Sequence, residues 1–401
     1  KTYGGGFSDA FVSKLDTTSI EAQFDSATYN VNEGDKKVVV QVDRSGDLTG
    51  PATFEYATSD GTASSRSDYT ATAGTLFFAH DETTKFITIY VTDDMIGPEG
   101  VETFNVTLSN PSGGGVVGAT ATTTVRITDN DTQTSSSPVA PPNFAADFFV
   151  RQHYLDFLGR EPDAAGAQFW QNEIASCGAD AQCRDVKRIN VSAAFFLSIE
   201  FQETGYFVER MYKAAYGDAT SPSVAGTVPV IRLQEFLHDV QEVRDGVVVG
   251  QGNWRQQLDT NKVALALEFV QRQRFLNAFP FSLTNEQFVD RLNQNTGGAL
   301  SQDEVNHLVA ELNAGTFAGR AQVLREVADD ADLQRNEFNR AFVLMEYYGY
   351  LRRNPDDAPD SDFRGWKFWL DKLNQSGGDF VKAEMVKAFI NSDEYKHRFG
   401  S

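Results

Sequence analysis

Carboxylates crowd the stretch VTDDMIGPEGVETF, residues 91–104, which holds Asp93, Asp94, Glu99 and Glu102. Neighbouring carboxylates repel one another unless a cation or solvent screens them. No histidine or cysteine lies near these acids in the sequence, so oxygen atoms are the ligands on offer. Ligand sets made of oxygen alone favour a hard cation, calcium more than zinc. The stretch therefore predicts either a calcium site or a solvated acidic turn.

The elements that must position these acids are short runs of alternating apolar and polar residues, separated by turn residues, over residues 20–131. Seven short strands at this spacing predict an all-β, immunoglobulin-like antiparallel sandwich. The predicted strands are AQFDSATYNV, KKVVVQVDR, ATFEYAT, TLFFA, KFITIYVT, TFNVTLS and TATTTVRIT.

The acidic residues of this sandwich are distributed unevenly between its two ends. Successive antiparallel strands reverse direction, so alternate loops meet at the same pole. One pole collects Glu33, Asp35, Asp60, Asp68, Asp93, Asp94, Glu99, Glu102, Asp129 and Asp131, whereas the other has Asp47, Asp81 and Glu82. Clustered negative charge is unfavourable without a counter-ion, so this asymmetry favours a bound cation over chance solvation.

Four segments of the same region carry a family resemblance: VNEGDKKVVVQVDRSG, YATSDGTASSRSDYTATAGTLFFAHDETTKFITIYVTDD, ETFNVTLSNPSGG and VRITDND. They resemble the Calx-β domain, a sandwich that senses calcium in sodium/calcium exchangers, over residues 20–131. The resemblance implies that calcium is held by Glu33, Asp68, Asp93, Asp94, Glu99, Glu102, Asp129 and Asp131. The sequence departs from the family in a slightly longer loop before Glu102, in Met95 where an acid is common, and in Asn130 within the closing acidic run. We therefore expect at least one ion and leave the number open.

The second half of the chain changes to a helical period after residues 132–143, a Ser/Thr/Pro linker. The segment FFVRQHYLDFLGREPDAAGAQFW returns later as AFVLMEYYGYLRRNPDDAPDSDFRGWKFW, which predicts an all-α repeat domain. Its four expected units span residues 144–205, 206–286, 287–340 and 341–399. Residues 144–399 resemble the bacterial domain of unknown function 4214, which is common in exported multidomain proteins. That resemblance implies an exported protein and does not imply any particular chemical activity.

The first residues, 1–19, stand apart from both domains. YGGGFSDAFVSKLD resembles the closing strands of a bacterial β-propeller repeat, and a fraction of one blade cannot close a propeller. This strand can be donated to the sheet edge of another molecule, which would build a filament. The alternative is an ordinary fragment boundary with a frayed or internally docked tail.

Cysteine and aromatic pairs give weaker signals in the helical half. Cys177 and Cys183 can close a short disulfide loop in an exported protein, the alternative being two free thiols. The pairs Phe169-Trp170 and Phe368-Trp369 predict repeated core positions, with a sugar-binding surface as the less favoured interpretation. The acids of the Pro-Asp turns predict helix caps rather than a second metal site.

Composition and missing motifs limit the function classes. The net charge of −21 argues against nucleic acid and anionic membranes as partners, and no apolar run reaches the roughly 18 residues of a membrane span. The N-terminal residues do not have the layout of a signal peptide, so we expect that such a signal was removed or lies upstream. The five histidines have no partner motif for catalysis.

These observations predict a non-enzymatic, calcium-stabilised structural or adhesive module of an exported bacterial protein, extracellular or at the cell surface. Its expected partners are further copies of itself, as a homopolymer or filament, or other cell-surface proteins. The alternative function is a glycan- or peptide-binding module on the cell surface.

Overall fold

The fold was analysed in a computed structural model of the chain, which describes residues 19–94, 97–131, 137–141, 144–315 and 319–400. It consists of a β-sandwich followed by a helical region. The strands are β1 (Ile20–Phe24), β2 (Thr28–Asn32), β3 (Lys37–Ser45), β4 (Ala52–Asp60), β5 (Ala73–Phe78), β6 (Thr84–Tyr90), β7 (Glu102–Ser109), β8 (Gly115–Val117) and β9 (Thr122–Thr128).

The sandwich has two sheets, with strand orders β6-β3-β1-β8 and β2-β9-β7-β4-β5. The predicted antiparallel sandwich is confirmed as the architecture, and two edge pairings, β1 with β8 and β2 with β9, are parallel. The expected first strand, AQFDSATYNV, is in fact two strands in different sheets. Its buried positions change from even numbers, such as Ala22 and Phe24, to the odd-numbered Val31, because the chain crosses between sheets at residues 25–27.

The sandwich core forms where the inner faces of the two sheets meet. It includes fully buried rings such as Phe54 and Phe78, whose centroids lie 6.0 Å apart. Tyr69 stacks on Phe104 at 4.0 Å, and its hydroxyl donates to Asp60 at 2.6 Å. Asp60, one acid of the predicted pole, therefore fixes a loop.

The helical region contains fifteen helices among the described residues, of which four have only four to six residues. They are α1 (Ala146–His153), α2 (Ala164–Ala175), α3 (Ala181–Leu197), α4 (Ile199–Glu203), α5 (Gly205–Tyr216), α6 (Leu233–Arg244), α7 (Trp254–Phe269), α8 (Gln273–Ala278), α9 (Asn285–Asn295), α10 (Gln302–Asn313), α11 (Gly319–Ala328), α12 (Ala331–Met345), α13 (Arg364–Gln375), α14 (Met385–Ile390) and α15 (Asp393–Lys396). None of these described helices combines the length and apolar character needed to cross a bilayer.

Helix α5 lies at the centre of this region, with every residue from Gly205 to Ala215 buried. It packs against α6, α9, α11 and α12. It carries buried charges that are paired inside the protein: the Lys213 ammonium lies 2.7 Å from Asp218 and 3.5 Å from Glu337. Such pairing is required because an uncompensated buried charge is costly.

The two copies of the Arg-x-Pro-Asp motif have the same local structure. In each copy a helix widens into a π-turn, Tyr154–Leu158 after α1 and Glu346–Leu351 after α12. The helix carrying the Phe-Trp pair then follows. The π-turns pack on each other, since the Phe157 and Tyr350 rings lie 5.1 Å apart. Asp163 caps α2 by accepting a hydrogen bond from the Gly166 amide at 2.9 Å, as expected for this turn.

Cys177 and Cys183 are joined in a disulfide that links the end of α2 to the start of α3. That they are oxidised in the native protein stays a prediction. His153 is buried in the core of the helical region. Its Nδ1 lies 2.7 Å from the Phe149 carbonyl oxygen, and burial lowers the pKa of His153 to about 4.

Candidate metal centre

Three carboxylates from distant parts of the sequence meet at one end of the sandwich. Glu33 begins a 3-10 turn between β2 and β3, Asp94 follows β6, and Asp131 follows β9. One oxygen atom from each lies within 4.8 Å of the others. All three belong to the set predicted from the sequence. Glu33 and Asp131 meet because the parallel neighbours β2 and β9 end at the same edge, and Asp94 joins them because β6 ends where its antiparallel neighbour β3 begins.

The buried character of this group distinguishes it from a solvated acidic turn. Glu33 is only 5% exposed. Glu33 Oε2 and Asp131 Oδ2 are both shielded from solvent and accept no hydrogen bond in the described part of the chain. An unpaired buried carboxylate oxygen is costly, so these two atoms favour a ligand in addition to the groups that the described residues provide.

The pKa values of two acids in this group are raised, as expected for buried carboxylates that lie close to one another. Burial, with the negative charges of Asp94, Asp129, Glu99 and Asp131, raises the pKa of Glu33 to about 9. Burial also raises the pKa of Asp131, with smaller contributions from Asp129 and Asp93. A nearby cation would reverse both effects because it favours the ionised form.

A second acidic group lies beside the first and contains Asp68, Glu99 and Glu102. Burial, together with a hydrogen bond to Asp68, raises the pKa of Glu102 to about 8. Burial raises the pKa of Glu99 as well, with Asp68 as the largest electrostatic contributor. Asp68 Oδ2 accepts a hydrogen bond from the Ser64 amide at 2.7 Å, which orients this carboxylate within its loop.

Asp129 and Asp93, the remaining predicted ligands, are held by hydrogen bonds and an ion pair. Asp129 accepts from the amides of Glu99 at 2.5 Å and Asp131 at 2.6 Å, so it connects the two acidic groups. Asp93 Oδ2 lies 3.5 Å from the Lys36 ammonium. Lys36 is a cation within the pole that the sequence analysis missed.

Asn130, expected to interrupt the acidic run, connects two of its loops. Its side-chain oxygen accepts from the Gly34 amide at 3.1 Å, and its side-chain nitrogen lies 3.4 Å from Asp93 Oδ1. Met95 lies outside the described residues.

The donor set of this centre fits a hard divalent cation. It offers carboxylate oxygens from several loops, without histidine or cysteine among the eight predicted ligands, and calcium accepts six to eight such oxygens in variable geometry. Glu33, Asp94 and Asp131 would hold the ion. Asp129 would orient Asp131 through its amide. Bound calcium would add two positive charges to this group of acids.

Two arginines of the helical region contact the loops that carry these acids. Arg151 Nη2 donates to the carbonyl oxygens of Lys36 and Val91, each at 3.2 Å, and is oriented by Glu161 at 2.7 Å. Lys36 follows the Glu33 turn, and Val91 precedes Asp93 by two residues. The helical region therefore holds two of the loops that contribute ligands.

A third contact between the helical region and the sandwich lies at the loop that carries Asp68. Arg398 Nε donates to the Arg66 carbonyl oxygen at 2.5 Å, while the Arg66 guanidinium pairs with Glu394, which also binds Arg353 at 2.6 Å. On the side of the sandwich, the Thr75 hydroxyl donates to Glu242 of α6 at 2.7 Å. The sandwich and the helical region are thus joined by directional polar contacts.

Comparison with known families assigns the two parts of the chain. Residues 16–131 match the Calx-beta domain, and residues 140–205 match a domain of unknown function (DUF4214). The chain therefore has an N-terminal Calx-beta domain followed by a helical region. The predicted resemblance is confirmed for the sandwich and for the first helical unit, and for residues 206–399 it stays a prediction. The propeller resemblance of residues 1–16 stays a prediction, and these residues lie outside the described part of the chain.

Individual relatives match the sandwich part. Integrin beta-4 of Mus musculus is 32% identical over 130 residues, which is 29% of this chain and 7% of that protein. The sodium/calcium exchanger Calx of Drosophila melanogaster is 36% identical over 112 residues, 28% of this chain and 12% of that protein. Sodium/calcium exchanger 1 of Rattus norvegicus is 41% identical over 88 residues, 22% of this chain and 9% of that protein. The matched segments thus span a small part of each relative.

A solved structure, the apo-form Calx CBD1 domain, is 35% identical to this chain. It covers 28% of this chain and 99% of its own chain, with a TM-score of 0.28.

Proposed function

We propose that this chain is a calcium-stabilised, non-enzymatic structural or adhesive module of an exported bacterial protein. The observation that carries the proposal is the pair of buried, unpartnered carboxylate oxygens of Glu33 and Asp131 at the meeting point of three loops. The likeness to sodium/calcium exchangers supports calcium as the ion. Calcium would fix the conformation of the loops. Arg151 and Arg398 would hold these ordered loops against the helical region, so that the sandwich and the helical region act as one rigid spacer.

Self-association would give this spacer its structural role. Strand β6 is an edge of its sheet, with β3 as its neighbour among the described strands. On its outer face Phe86 is 62% exposed, and the diagonal neighbour Val39 on β3 is 45% exposed. An exposed edge strand with apolar neighbours is a template for an added strand. We propose that residues 1–16 of one molecule add to β6 of the next.

The test is sedimentation of the whole chain at high concentration. We expect assemblies that are lost when residues 1–16 are deleted and when Phe86→Lys places a charge on the acceptor edge. Phe281→Lys is the control, because Phe281 is an even more exposed phenylalanine in the helical region, and this variant should assemble normally. A monomeric wild-type chain, or assembly that survives both changes, would contradict the donated strand.

A second candidate function, glycan binding, is favoured by the aromatic pairs. The prediction that these pairs are core holds for Trp170 and Trp369, which are half-buried and pack against Phe195 and Phe389. It is wrong for their neighbours: Phe169 is 56% exposed and Phe368 is 59% exposed. Each phenylalanine meets its tryptophan edge-on, at 4.8 Å and 5.1 Å, so the two repeats present the same aromatic surface.

The glycan candidate is tested by affinity electrophoresis of the chain in gels that contain soluble polysaccharides. Binding through these surfaces predicts a retarded chain, and Phe169→Ala with Phe368→Ala should abolish the retardation. Phe281→Ala should leave it intact. Equal mobility of the wild type with and without every polysaccharide would reject this function.

A further inference from the structure

A second set of metal-ligand atoms lies in the helical region, outside the acidic pole. His307 and Glu311 are one helical turn apart on α10, and Glu326 lies on the neighbouring helix α11. One ligand atom from each lies within 4.8 Å of the others. His307 Nε2 is 3.5 Å from Glu311 Oε1. A histidine and a carboxylate four residues apart on a helix can chelate one ion, because both side chains project from the same face.

The two carboxylates of this cluster have few hydrogen bonds and no lysine or arginine partner within the described part of the chain. Glu311 Oε2 is shielded from solvent and accepts no hydrogen bond there. Glu326 Oε1 accepts from the Gln322 side-chain amide at 3.0 Å, which is a neutral donor that orients it. No described lysine or arginine forms an ion pair with either acid.

The nearest arginines on α11 have other partners. Arg325 pairs with Asp259 and Asp329. Arg320 donates to the Phe279 carbonyl oxygen at 2.8 Å. Two negative charges therefore face one imidazole, and neither basic side chain of this helix neutralises them.

We propose that His307, Glu311 and Glu326 form a site for a borderline divalent transition metal such as zinc. One imidazole nitrogen with two carboxylates is a ligand set that suits zinc better than calcium, which prefers oxygen alone. Zinc ligands lie about 2.0–2.2 Å from the ion, so small side-chain rotations would close the present spacing. Water would complete the coordination, and the ion would fasten α10 to α11.

Calorimetric titration of zinc into the whole chain with saturating calcium tests this site. We expect one zinc per chain in addition to any bound at the acidic pole, and His307→Ala should weaken its affinity by at least about tenfold. Glu311→Gln should have a similar effect. His80→Ala is the matched control, because His80 is another exposed histidine beside an acid, and it should bind zinc like the wild type. The His307 side chain is 67% exposed, so its removal should leave the fold intact.

Copper substitution gives a second readout that is independent of stability. Paramagnetic resonance of the Cu²⁺-loaded chain should show coupling to one imidazole nitrogen, and this coupling should disappear in His307→Ala and persist in His80→Ala. The proposal is overturned if the wild type binds zinc no more tightly than about millimolar, or if His307→Ala binds both metals like the wild type.

Discussion

Calcium should raise the melting temperature of the sandwich, and Glu33→Gln should remove most of that rise. An ion that binds only the folded state stabilises it by about 2.7 kcal/mol at a concentration a hundredfold above its Kd. The structural reason is that carboxylate oxygens of Glu33, Asp94 and Asp131 converge within 4.8 Å of one another. Differential scanning calorimetry in chelator and in millimolar calcium measures the effect.

The same variant should have the opposite effect when calcium is absent. In chelator at neutral pH, folding of the wild type must protonate Glu33, because burial and the neighbouring acids raise its pKa to about 9. Glu33→Gln needs no such proton, so it should melt above the wild type by the equivalent of about 1 kcal/mol or more. The control is Asp81→Asn, which changes an exposed acid of the opposite pole. It should keep the full response to calcium. A wild-type melting curve that is identical in chelator and calcium would contradict the metal assignment.

Arg398→Met should destabilise the helical region by about 3–5 kcal/mol, because it removes one partner of a buried ion pair. Arg398 Nη1 and Nη2 lie 2.9 Å and 3.0 Å from the two oxygens of Asp156, and Nη1 also donates to the Tyr350 carbonyl oxygen at 2.7 Å. The side chains of Arg398 and Asp156 are 3% and 5% exposed. Chemical denaturation followed by circular dichroism gives the change in free energy of unfolding.

A second substitution tests whether the loss of stability arises from buried charges that lose their partners. Adding Asp156→Asn to Arg398→Met should deepen the loss, since the buried Arg352, whose Nε lies 3.8 Å from Asp156 Oδ1, then loses its carboxylate partner. Arg335→Met is the exposed control and should change the free energy of unfolding by less than about 0.5 kcal/mol. If Arg398→Met unfolds like this control, the buried pair does not stabilise the native protein.

Alternating patterns predicted the sandwich well wherever a strand was long and half-buried. They failed at β8, since its three residues, Gly115–Val117, are too few to show a period. They also predicted β1 and β2 as one strand. The apolar positions change from even to odd numbers between Phe24 and Val31, and this change indicates where the chain passes from one sheet to the other. Strand pairing across the chain, including both parallel edges, depends on contacts that local patterns do not contain.

The acidic pole was predictable because strand reversal brings alternate loops together. Which acids lose contact with water was not predictable, because the burial of Glu33 depends on loops about a hundred residues apart in the sequence. The roles of Lys36 and Asn130 had no separate signal, since a lone cation or amide in a loop is common. In the helical half, Phe-Trp spacing predicted two equivalent helices, but a two-residue motif does not show which ring faces solvent.

Anomalous X-ray diffraction from crystals of the chain grown with calcium tests the central claim most directly. We predict a calcium peak between the carboxylates of Glu33, Asp94 and Asp131, and its loss in crystals of Glu33→Gln grown in the same solution. Well-ordered carboxylates with no anomalous peak between them, at calcium concentrations that saturate extracellular modules, would contradict the account.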